Sequence, residues 1–107
     1  MVSSEDFLLL VRGYLEDESP LHVVAKSSTM ALSAFCTVHK AELGAVCFWV
    51  GKSKDGAISF DISECFFDFG DVPDGLVDLP TGRQAESGLV AIRLEDGFEL
   101  YIILLKA

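Results

Sequence analysis

The chain has 107 residues, half of them hydrophobic, with 17 acids against 8 bases and a net charge of −9. The length suits one compact domain, residues 1–107, and the apolar content argues against intrinsic disorder. The acidity argues against nucleic-acid backbones and anionic membrane surfaces as partners.

The opening MVSSEDFLLLVRG has no basic stretch before its apolar run. That run, Phe7 to Val11, is shorter than the core of a signal peptide. No apolar stretch approaches the roughly 18 residues of a membrane helix. The three cysteines, Cys36, Cys47 and Cys65, are odd in number, widely spaced and never in a CxxC, unlike a secreted disulfide framework. The expectation is a soluble cytoplasmic protein with reduced thiols.

Ser3 and Ser4 are natural helix caps, and Glu5 and Asp6 suit the positive end of a helix dipole. Phe7, Leu8, Val11, Tyr14 and Leu15 follow at helical spacing. Pro20 closes the element, so the spacing predicts one helix over about residues 4–17. Leu9 falls off the apolar stripe.

Beyond Pro20 the period changes to that of strands. Leu21–Ala25 reads as the first, and Ser27–Thr29 as a turn. In the stretch 30–38, Met30, Leu32, Ala34, Cys36 and Val38 form the drier face. Ala45–Val50 is apolar throughout, which predicts a central strand covered on both faces. KSKDG, residues 52–56, carries an Asp-Gly hairpin signal, and a strand follows from Ala57. Leu89–Leu94 and Phe98–Leu105 flank Glu95-Asp96-Gly97, a second such hairpin.

Along 57–69 the alternation changes phase. Ile58, Phe60 and Ile62 share one face, whereas later Cys65, Phe67 and Phe69 form the apolar set. A regular strand cannot do this, so a β-bulge or sharp bend is predicted near Ser63–Glu64. Phe66 is left on the outer side.

The fold class is then α+β: one N-terminal helix packed on a curved, mostly antiparallel sheet of about 5–6 strands. This outline is similar to the cystatin-like and related cone-shaped folds, which host many functions. The final strand and Ala45–Val50 look apolar on both faces. A second subunit, sheet curvature or a ligand would have to cover the second face, and we expect a homodimer.

Chemistry is sparse. Cys36 and His39 are an odd number of residues apart on one strand and face opposite ways unless a bulge intervenes. Cys36 and Cys47 read as packed thiols. His22 and His39 approach one another only if their strands pair suitably. No HExxH, CxxC, EF-hand loop, P-loop or catalytic signature is present. We therefore assign no catalytic, cofactor or metal residue, and the sequence points away from an enzyme. Asp71, Asp74 and Asp78 in GDVPDGLVDLP lack the ligand spacing of a calcium loop.

Residues 57–87 hold seven acids and one base, Arg83. With Phe66 as an apolar anchor, the residues Phe66, Asp68, Asp71, Asp74, Asp78 and Arg83 form a candidate interaction surface. The expected function is a non-enzymatic dimeric interaction module. One alternative is an inhibitor or immunity-type protein for a basic partner. Another is a small-molecule binder or enzyme with a pocket between helix and sheet, lined by Tyr14, Phe35, Trp49 and Tyr101.

Overall fold

The structure, a computed structural model, describes residues 2–70 and 85–105, of which 85–87 by backbone alone. Helix α1 spans Ser4–Glu16. The Ser3 hydroxyl accepts the Asp6 N–H at 3.1 Å, satisfying one of the helix's orphan donors. Phe7, Leu8 and Val11 are buried along one stripe. That stripe lies against the sheet.

Among the described residues seven antiparallel strands follow: β1 Leu21–Lys26, β2 Ala31–Glu42, β3 Ala45–Val50, β4 Gly56–Asp61, β5 Phe66–Phe69, β6 Ala85–Arg93 and β7 Phe98–Leu105. Their order across the one sheet is β4-β3-β2-β1-β7-β6-β5. The α+β class stands, with one strand more than the upper expectation. The extra strand arises where the phase change was found. β4 ends at Asp61, Ile62–Cys65 turn, and β5 begins at Phe66. Glu64 adopts φ +59°, which a regular strand does not admit.

The bend does more than shift phase. Every neighbouring pair is antiparallel, so β4 and β5 run in the same direction although they are the two edges of the sheet. They are two halves of one broken strand. The first half pairs with β3 and the second with β6. The sheet remains open, because among the described residues no ladder joins β4 to β5. It is curled enough for Arg93, at the end of β6, to reach the β4–β5 turn.

The prediction that Ala45–Val50 is central and covered on both faces is corrected. The central strands are β1, β2 and β7, and β3 lies next to the edge. In β3 only Val46 and Phe48 are buried, while Cys47 and Trp49 are half-buried. An apolar run gives the burial capacity of a strand, but the sheet order decides how much cover it receives. β2 also runs further than predicted, to Glu42, through a bulge at His39.

The core lies on the α1 side. Phe7 and Val11 pack with Leu21, Val23, Cys36, Val38, Phe48, Phe60, Leu100 and Ile102. The Phe7 ring stacks on Phe67 of β5 at 4.3 Å. On the opposite face, Val24, Val90 and Tyr101 form a second buried cluster. His22, Ile103 and Leu105 are buried on that face too. Its centre is therefore dry within one chain.

Candidate interaction surface

Two large apolar side chains are exposed side by side. Leu9 on α1 is 65% exposed and Phe69 at the end of β5 is 62% exposed. With Val2, Leu10 and Asp6 they line an open groove of about 430 Å³. Local chemistry places both. Leu9 is two residues from the buried Phe7, which turns it off the buried stripe. Phe69 shares a face with Phe67 and pairs with Leu89, but it lies beyond the reach of the core at the end of the strand. Val2 is held in place by its N–H, which donates to the Phe67 carbonyl at 2.8 Å.

Phe66 is exposed, as expected from the phase change. It pairs with Ile92, and Asp68 pairs with Val90, so both lie on the face away from α1. Phe66 and the Leu9–Phe69 groove thus flank β5 on its two sides. The Asp68 carboxylate accepts the Phe69 N–H at 2.9 Å. The remaining candidates, Asp71, Asp74, Asp78 and Arg83, lie outside the described residues.

A cationic clip holds the β4–β5 turn. The Arg93 guanidinium donates to the Asp61 and Ser63 carbonyls at 3.1 and 3.2 Å. It also donates to both carboxylate oxygens of Asp96, at 3.1 and 2.9 Å, and lies over the Phe98 ring. A planar fork suits such bidentate pairing. The Asp96 carboxyl is held below the usual range by its hydrogen bonds from Arg93. Hydrogen bonds from Ser63 do the same for Asp61. Sequence reading did not single out Arg93. Its only signal is its place at the end of a strand, three residues before the acid of an Asp-Gly hairpin.

The four residues expected to line a pocket are not brought together. Tyr14 packs on the core side of the sheet. Phe35, Trp49 and Tyr101 lie on the other face, and Tyr101 is buried there with Val24 and Val90. Tyr101 donates its hydroxyl to Glu99 at 2.9 Å, and burial pushes its pKa up to about 12. The Trp49 and His39 rings meet at 4.1 Å, tilted by 34°.

Cys36 and His39 remain on opposite faces despite the bulge, which begins only at His39. Burial pushes the Cys36 thiol up to about 11, away from the thiolate a nucleophile needs. Cys65 lines a smaller depression of about 280 Å³ with Ser4, Leu8, Leu43 and Phe67. Its pKa is also raised, first by burial. His22 and His39 do not meet: His22 pairs across from Phe35, and its Nε2 is 2.7 Å from the Ser33 hydroxyl. Among the described residues, no three His, Cys, Asp or Glu side chains gather as a metal-binding group. No described helix is long and apolar enough to cross a membrane.

No family model, no curated protein and no solved structure matches this chain.

Proposed function

We propose that this chain is a non-enzymatic, acidic interaction module that seats a basic partner protein on the surface where α1 meets β5. The observation that carries the reading is the juxtaposition of Leu9 and Phe69, both largely exposed, over one open groove. Their apolar area supplies an anchor of the kind found at interface centres. The charge around it supplies direction. Asp6 lines the groove, Glu5 precedes it on the helix, and the whole chain carries −9. Such a field accelerates encounter with a cationic surface and weakens with salt.

The reading is tested by placing a photo-crosslinking residue at position 9 or 69, with position 94 as control. Leu94 is also exposed, but it sits on the β6–β7 turn. The expected result is one basic protein captured from both groove positions, less at higher salt, and absent from position 94. Equal capture at all three positions, or none at 9 and 69, overturns the proposal.

A further inference from the structure

The two edges of the sheet are treated differently. In an antiparallel ladder, residues alternate between pairs that exchange both main-chain hydrogen bonds and pairs that point those groups outward. On β5, the Gly70 N–H donates to the Gly88 carbonyl at 3.1 Å. Counting back along the register, Asp68 and Phe66 also bond β6, while Phe67 and Phe69 face outward. Both outward residues are engaged. The Phe67 carbonyl accepts from Val2, and the Phe69 N–H donates to Asp68.

On β4, the Ile62 N–H donates to the Gly44 carbonyl at 2.9 Å. The same count makes Phe60 and Ile58 bond β3, and turns Asp61, Ser59 and Ala57 outward. Asp61 confirms the direction, since its carbonyl is taken from outside by Arg93. Ala57 and Ser59 are different. Both are exposed, and among the described residues nothing takes their outward N–H and C=O groups. An unpaired edge of this kind is a template for another strand.

We propose that this edge takes a second copy of the chain, β4 against β4, antiparallel about a two-fold axis at Ile58. In that register Ala57 of each copy pairs with Ser59 of the other, and the outward N–H and C=O groups of both residues are used. Shifting by two residues in one direction leaves Ser59 facing the turn. Shifting in the other requires the Asp61 carbonyl that Arg93 already holds. Ile58, half-buried in one chain, meets its counterpart at the axis.

Charge favours a second copy over an unrelated strand. β4 is preceded by Lys52 and Lys54 and followed by Asp61 and Glu64. Antiparallel pairing brings the basic end of one copy to the acidic end of the other, twice. Lys52 and Lys54 form no ion pair among the described residues, so they are available for this. Asp55 falls opposite Asp61 and offsets part of the gain. The contact is short, and belongs with weak, transient associations. This dimer is independent of the groove at α1 and β5, and the variants below leave that groove untouched.

The test is sedimentation equilibrium of the whole chain from micromolar to about 1 mM, the range that resolves weak dimers. Ser59→Pro deletes a donor that the β3 ladder does not use, and proline is tolerated on such an edge. Two of the four inter-chain bonds are lost by symmetry, so the dimer should weaken about tenfold or more. Lys52→Glu with Lys54→Glu, in the exposed turn, should weaken it as well. If Ser59→Pro does not fold, the turn variant decides. A wild-type chain that stays monomeric up to about 1 mM overturns the proposal. So does a dimer that the turn variant and a folded Ser59→Pro leave unchanged.

Discussion

Phe7 and Leu9 lie two residues apart on the same helix, and the structure gives them opposite energetic roles. Phe7 is fully buried, with its ring stacked on Phe67 at 4.3 Å and an interplanar angle of 27°. Truncation to alanine removes the ring and leaves a cavity that the curled sheet cannot close. The expected loss is about 3–5 kcal/mol, of which roughly 0.5–1.5 belongs to the ring pair. Against a typical domain stability of about 5–15 kcal/mol, that is a large fraction. At roughly 4 °C per kcal/mol for a chain of this size, the melting temperature should fall by about 12–20 °C. Leu9→Ala should change stability by less than about 0.5 kcal/mol, because its side chain is already in water. Urea titrations of Phe7→Ala, Phe67→Ala, the double variant and Leu9→Ala provide the comparison. The double-mutant cycle should return a coupling of about 0.5–1.5 kcal/mol. A loss below about 1 kcal/mol for Phe7→Ala, or a Leu9→Ala loss as large as that of Phe7→Ala, would refute this seating of the helix.

His22 is buried, its Nδ1 has no hydrogen-bond partner among the described residues, and burial lowers its pKa. A base with a depressed folded pKa stabilises the protein above its unfolded value of about 6.5, and that stability is lost as pH falls further. Thermal melts between pH 7 and pH 5 should therefore show a decline that His22→Gln flattens; parallel curves would contradict it. Gly88→Ala should separate β5 from β6, because the added methyl would meet the Gly70 carbonyl oxygen. A loss of about 1–3 kcal/mol is expected, read by urea titration, with amide exchange quickening at Gly70. Cys36 should be the last of the three thiols to react with a disulfide reagent at pH 8, and to do so only as the chain unfolds, given its burial and a pKa of about 11. Mass spectrometry of the labelled peptides would show the order. His39→Ala should shift the emission of Trp49, the sole tryptophan, because the imidazole that lies against its ring at 4.1 Å is removed.

The amino-acid sequence by itself determined the local pieces. Serine caps, acids in the first turn and apolar residues at helical spacing placed α1 to within a residue or so. Apolar runs, alternation and the Asp-Gly turn signals placed β1 and β7 and parts of β2 and β6, whose far ends at Glu42 and Ala85 went unread, and the phase change after Ile62 marked the break between β4 and β5. These features are legible because each is set within a few residues, by backbone geometry and the period of the side chains. The exposure of Phe66 followed from the same count.

Only the tertiary structure decided which strands became edges and what lay beside what. The break after Asp61 carries the chain from one side of the sheet to the other, so Arg93 meets Asp61 from 32 residues away in the chain. Leu9 and Phe69 share a groove that no spacing rule connects. Tyr14 is parted from Phe35, Trp49 and Tyr101 because helix and sheet present separate faces. The physical reason is that periodicity fixes which way a side chain points relative to its own backbone. Which element it then meets depends on strand order and curvature, set by the packing of the whole core.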